Sequence, residues 1–280
     1  MNIKKRGDNT TVIATVLLSH HTWHVTPNYE YAQVWVESIQ KEGLHGVLFH
    51  DSALADKEDF IAQGIDLIEV EDTTSVEPWI ERYFIYRKML EDNPWIQDVF
   101  FTDARDIWFY QDPIKFFRRY IDMGYFIAQE EWDAITPESE FMKRLNKIKM
   151  LGGNAMQIYN RHLQVSEGER PYCAGAFGGA YYKCLNLLKY ITDAFQPRFD
   201  KPEWDMGIYN LALREGVVGD IMCFGSGYNA LEGYQERIEI ITEHKSRYKD
   251  SEGGYPSPLM HDIHKGNELL NQYRLQQIQN

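Results

Sequence analysis

A chain of 280 residues that sets 29 lysines and arginines against 42 aspartates and glutamates carries a formal net charge of −13. That balance argues against nucleic acid and anionic membranes as constitutive partners, because both select clustered basic surface. A hydrophobic content of 44% with 25% charged residues excludes the disordered, collagen-like and coiled-coil classes.

The first element is an apolar run, Val12 to Leu18, preceded by Lys4, Lys5 and Arg6. Those flanks resemble a signal peptide, but the run is short, includes Thr15, and continues into Ser19-His20-His21 instead of a small-residue cleavage site. We read Thr11 to Leu18 as a buried β-strand. Tyr29 to Lys41 has helical spacing, with Tyr31, Val34, Trp35 and Ile39 near one face, Asn28 as N-cap and Gly43 as stop. Val47 to His50 is a second strand, ending at Asp51, and Ile65 to Val70 a third. Pro78 opens a second helix that runs to about Leu90, its apolar positions including Ile80, Phe84, Ile85 and Leu90. Asp98 to Thr102 is a fourth strand, with Asp103 at its carboxyl end. This alternation predicts an α/β fold, a mainly parallel sheet flanked by helices.

The second half is less regular. Gly124 to Ala128 reads as a strand, and Ser139 to Lys149 as a helix followed by an exposed loop. A small-residue stretch, Ala174 to Tyr182, leads into a helix from about Lys183 to Phe195, and Trp204 to Arg214 is another helix. From about Glu243 the chain is polar, with a late motif at Pro258 to Gly266. No repeat and no Pro-, Gly- or Ser-rich linker divides it, so residues 1–280 are read as one domain. Cys173, Cys184 and Cys223 form no C-x-x-C pair. They are expected to be buried thiols in a reducing, cytoplasmic compartment. No apolar run reaches the roughly 20 residues that span a bilayer, so no transmembrane segment is expected.

Ligands of open α/β sheets collect beyond the carboxyl ends of the strands. There the chain reads Phe100-Phe101-Thr102-Asp103-Ala104-Arg105-Asp106, continuing to Asp112-Pro113. Two carboxylates on one strand-to-loop turn suit a hard divalent cation, Mg²⁺ or Mn²⁺, shared with phosphate oxygens. The alternative is a pair of turn-forming aspartates, with Asp106 bound to a nearby base.

This segment resembles the metal-binding motif of GT-A-fold glycosyltransferases, in a variant where the carboxylates stand three residues apart. The resemblance implies a single Rossmann-like domain and transfer of a sugar from a nucleotide diphosphate sugar to an acceptor hydroxyl, in glycan synthesis of a bacterial type. It implies that Asp103 and Asp106 hold the metal, and that Arg105 either salt-bridges within the turn or contacts phosphate. Pro258-Leu259-Met260-His261-Asp262-Ile263-His264-Lys265-Gly266 resembles the C-terminal histidine segment of metal-dependent members. His261 is then the third metal ligand, with His264 its competitor, and Lys265 meets the leaving diphosphate.

Three further segments fit the same pattern. Ala174 to Gly179 resembles the family's glycine-bearing strand-to-helix turn, where Gly178 lets backbone approach the donor sugar or simply packs closely. Glu203 to Asn210 resembles a helix start whose carboxylate, Asp205, orients the acceptor hydroxyl or takes its proton. The other role open to Asp205 is that of an N-cap. Arg82 lies on a helix resembling the one that carries an arginine toward the site, and is expected to pair with diphosphate or with a surface acid such as Glu81. Tyr29 or Tyr31 is read either as a stacking platform for the nucleotide base, Tyr31 being our choice, or as core.

Two other functions stay open: a binding protein of the same fold without turnover, and a metal-dependent phosphohydrolase. The latter favours carboxylates two residues apart, unlike the spacing here. Neither G-x-x-x-x-G-K-[ST], G-x-G-x-x-G nor G-x-S-x-G occurs, which disfavours P-loop, dinucleotide-binding and hydrolase readings.

Overall fold

In a computed structural model the structure describes residues 1–19, 26–71, 78–105, 107–109, 111–118, 126–130, 136, 139, 141–143, 160–161, 171–195, 202–224 and 259–260. The strands are β1 (Thr11–Leu17), β2 (Gly46–His50), β3 (Asp66–Glu69), β4 (Asp98–Thr102), β5 (Trp108–Phe109), β6 (Phe126–Glu130), β7 (Tyr172–Ala180), β8 (Ile221–Phe224) and β9 (Leu259–Met260). The helices are α1 (Tyr29–Lys41), α2 (Lys57–Ala62), α3 (Pro78–Asp92), α4 (Pro113–Arg118), α5 (Tyr181–Ala194) and α6 (Pro202–Arg214).

The period-two alternation of the central strands explains why helices cover both faces of the sheet. Along β1, Val12, Ala14 and Val16 enter one core while Ile13 and Leu17 enter the other. β4 divides likewise: Val99 and Phe101 on one side, Phe100 on the other. A strand buried on both faces reads as a continuous apolar run, as these do. The first core is closed by Tyr83, Tyr86, Met89 and Leu90 of α3, Leu187 and Ile191 of α5, and Tyr209 of α6. The second is closed by Trp35 and Ile39 of α1, Phe60 of α2 and Ile114 of α4. The result is a three-layer α/β arrangement of Rossmann-like type. Phe84 departs from the expected core set: it is partly exposed and meets Phe195 edge-on at 5.6 Å.

A seven-stranded sheet has the order β3-β2-β1-β4-β7-β6-β8. Neighbours are parallel except at β7, which runs against both β4 and β6. The chain builds outward from β1 through β2 to β3, then returns to place β4 on the other flank of β1. This reversal of order is a topological switch point, where the loops beyond β1 and β4 diverge and open a crevice. α1 forms as expected: the Asn28 side chain accepts the Tyr31 N–H at 2.9 Å, and Gly43 leaves the helix at φ +62°.

One prediction is corrected here. Ala174 to Gly179 is not a strand-to-helix turn but the body of β7, which α5 follows directly at Tyr181. The predicted helix from Ser139 to Lys149 lies mostly outside the described residues; its positions 141–143 are helical. No helix among the described residues is long and apolar enough to cross a membrane.

Candidate functional site

Asp103 leaves β4 at the switch point, and its backbone is held from three directions. Thr102 Oγ1 accepts the Trp35 indole N–H at 2.9 Å, and the Thr102 carbonyl accepts the Thr15 hydroxyl at 2.8 Å. The Asp103 N–H then donates to the Gly175 carbonyl of β7 at 2.8 Å. Its side chain is 42% exposed, open to solvent at the carboxyl edge of the sheet.

Arg82 reaches this edge from α3. Its two terminal nitrogens are shared between two carboxylates: one donates to Asp103 Oδ1 at 2.9 Å, the other to Asp205 Oδ2 at 2.9 Å. The guanidinium lies 5.1 Å from the centre of the Tyr83 ring, and its side chain is only 11% exposed. Burial disfavours the cation, but Tyr83, Asp103 and Asp205 outweigh it and hold Arg82 firmly charged. Of the roles the sequence offered Arg82, pairing with an acid is the observed one. The acids are Asp103 and Asp205, which sequence proximity to Glu81 did not reveal.

Asp205 lies within the first turn of α6, three residues past its start at Pro202. The N-cap role is therefore set aside: the helix has begun before it, and its carboxylate meets Arg82 and the Met206 N–H. Burial pushes its pKa up, against Arg82 and the Met206 N–H, to about 6. Asn210, one turn on, is fully enclosed. Its amide accepts the Tyr172 N–H at 2.6 Å and donates to the Tyr172 and Met206 carbonyls, both at 2.9 Å. This fixes α6, and Asp205 with it, to the start of β7.

Tyr29 and Tyr31 both pack against the second core, and their further contacts differ. Tyr29 packs edge-on against Phe60 at 5.3 Å, as part of the second core. Tyr31 faces the aspartate loop, with the Arg105 guanidinium 5.4 Å from its ring centre. Gly178 is not at the edge. It sits mid-sheet opposite Phe100, where a Cβ would lie 2.3 Å from the Val99 carbonyl oxygen and 2.7 Å from Phe100 Cα. Of the two roles read for Gly178, close packing against β4 is the one observed. The glycine that reaches the edge is Gly175, beside Asp103.

Asp106, His261, His264 and Lys265 lie outside the described residues. Their neighbours are informative. β5 and β9 pair antiparallel, Trp108 with Met260 and Phe109 with Leu259. Asp106 stands two residues before Trp108 in sequence and His261 directly follows Met260. The donor chemistry at Asp103, an exposed carboxylate at a strand end, suits a hard divalent cation. Among the described residues no group of three His, Cys, Asp or Glu is placed to hold a metal.

Asp51 went unmarked among the sequence-based candidates although it follows β2 directly. It is buried, accepting the Ser19 N–H at 2.7 Å and hydroxyl at 2.6 Å and the Ala53 N–H at 3.0 Å. It ties the ends of β1 and β2 together on the same edge as Asp103. Cys173 and Cys184 are buried thiols not joined in a disulfide. No family model matches the chain, and no curated protein matches it.

Proposed function

We propose that the chain is a GT-A-fold glycosyltransferase that moves a sugar from a nucleotide diphosphate sugar to an acceptor hydroxyl. The observation that carries this reading is the Asp103–Arg82–Asp205 bridge at the switch point, which joins an exposed carboxylate to an enclosed one. Asp103, with Asp106 and His261, would hold Mn²⁺ or Mg²⁺, which as a Lewis acid neutralises charge on the leaving nucleoside diphosphate. The β5–β9 ladder supports this set, since it joins the chain next to Asp106 with the chain next to His261. Lys265 adds a cation for the same diphosphate.

The remaining roles belong to side chains at the crevice. Tyr31 offers a ring to the nucleobase and Arg105 a cation to the phosphates, a combination suited to an anionic, aromatic ligand. Asp205 takes the acceptor hydroxyl proton. A carboxylate held near 6 is ionised at neutral pH yet basic enough for the task.

A thermal-shift panel of nucleotide sugars, with and without Mn²⁺, tests the proposal. A true donor raises the melting temperature by mass action, in a metal-dependent way and for one nucleotide class. Silence across the whole panel defeats the reading. Stabilisation without transfer to any acceptor points instead to a binding protein of this fold.

A further inference from the structure

We infer that Arg82 is an exchangeable counter-ion: its bond to Asp103 yields to a divalent cation, while its bond to Asp205 persists and tightens. This rests on Asp103 being a metal ligand, and goes beyond that reading by assigning a coupling between the metal side and the acceptor side of the site.

The two halves of the bridge are chemically alike but physically unequal. Both bonds are 2.9 Å long, yet Asp103 is 42% exposed and Asp205 only 5%. Solvent screens the outer pair, so parting it costs little. Parting the inner pair would strand a charge in a dry setting, which is far more costly. When a competing cation approaches from solvent, the outer bond is therefore the one that gives. Two cations on one carboxylate repel each other, and the divalent ion holds it more strongly than a monovalent guanidinium does.

The arginine is built to make this shift. It is held through its terminal nitrogens, while its buried Nε has no hydrogen-bond partner among the described residues. The third bond at stake in a small pivot toward Asp205 is the long one, 3.4 Å, from the nitrogen on Asp205 to the Tyr83 hydroxyl. The Tyr83 ring under the guanidinium keeps a face for it throughout. Arg82 is a positioning residue in this scheme: metal loading at Asp103 is transmitted as a closer grip on Asp205.

Mn²⁺ alone, without any sugar nucleotide, is the probe, its free concentration followed by electron paramagnetic resonance. Wild type, Arg82→Gln and Asp205→Asn are titrated, with Asp103→Asn as the control that loses binding. Arg82→Gln removes the competitor and should bind Mn²⁺ about fivefold tighter, the size of one screened charge pair. Asp205→Asn deprives Arg82 of its inner partner, throws it wholly onto Asp103, and should weaken Mn²⁺ binding by a similar factor. A purely structural role moves both variants in the same direction, toward weaker binding. That result overturns the exchange while leaving the transferase reading intact. Should Arg82→Gln fail to fold, the sign of the Asp205→Asn shift decides alone: unchanged or tighter binding overturns the proposal. A wild-type chain with no Mn²⁺ affinity defeats both the exchange and the metal site.

Discussion

The two edges of the sheet each carry an arginine and carboxylate cluster, and they behave in opposite ways. At the amino edge, Asp66 receives His45 Nε2 at 2.7 Å and Arg6 at 2.6 Å, and Arg6 also donates to the Gly64 carbonyl at 2.6 Å. His45 is stacked on Trp95, with ring centres 6.5 Å apart. At the carboxyl edge, one arginine serves two carboxylates. Burial raises the pKa of Asp66, but two donors outweigh it and the value ends below the ordinary one. Burial raises that of Asp205 too, and there it wins. The lesson is one of burial. Each carboxylate has two donors, His45 and Arg6 for Asp66, Arg82 and the Met206 N–H for Asp205. But Asp66 is 24% exposed and Asp205 only 5%, so desolvation prevails at Asp205 and leaves basicity available for chemistry.

The largest effect expected from breaking this contrast comes from Asp103→Ala. It should abolish Mn²⁺-dependent stabilisation by the donor and cut turnover by about 100-fold or more, in a protein that still folds. Thermal shift and a transfer assay read the two quantities. Unimpaired turnover would remove Asp103 from the site.

Next comes Asp205→Asn, expected to lower kcat by about 100-fold with little change in donor affinity at saturating Mn²⁺. In the wild type the rate should fall away below a pH of about 6, where Asp205 gains its proton. Persistence of that limb in the variant would assign the proton to another group. The same shift marks stability. Between the ordinary value of 3.8 and the folded value of about 6, the folded chain keeps a proton that the unfolded chain has lost. The Asp205 contribution therefore declines as pH rises across that window and is flat above it.

Gly178→Ala sharpens the distinction between edge and interior. A Cβ 2.3 Å from a backbone oxygen must push β4 and β7 apart, at a cost of about 3 kcal/mol. Urea denaturation should report that loss while KM for the donor stays near wild type. A selective rise in KM would restore a donor role to this glycine.

The smallest effect is expected at the amino edge. Asp66→Asn should cost about 1 kcal/mol at neutral pH and leave donor binding untouched. Because its folded pKa lies below 3.8, the Asp66 contribution is complete above that value and lost as pH falls through the folded one. Acid denaturation of the variant should accordingly be less steep. A change in turnover instead would mean that the two edges communicate.

Much of the fold was legible because its causes are local. The run Val12 to Leu17 is apolar at every buried position but Thr15, whose hydroxyl donates to the Thr102 carbonyl, and Asn28 with Gly43 brackets α1 by capping chemistry. β7 was missed because Ala174 to Gly179 has no β-branched residue and only one aromatic, Phe177, to mark a strand. Its small residues are explained only by the strand beside it. In the site, Asp103 was legible as a carboxylate ending a strong strand. The partners of Arg82 were not, since they lie 21 and 123 residues away in sequence.

By itself, then, the sequence determined what periodicity and composition can encode: the α/β class, the first four strands of the sheet, and an acidic loop at the end of β4. Only the tertiary structure decided which way β7 runs, which tyrosine faces the loop, and which acids Arg82 joins. The physical reason is range. Hydrophobic period and capping act within a few residues, whereas burial and charge pairing depend on what the folded chain brings alongside.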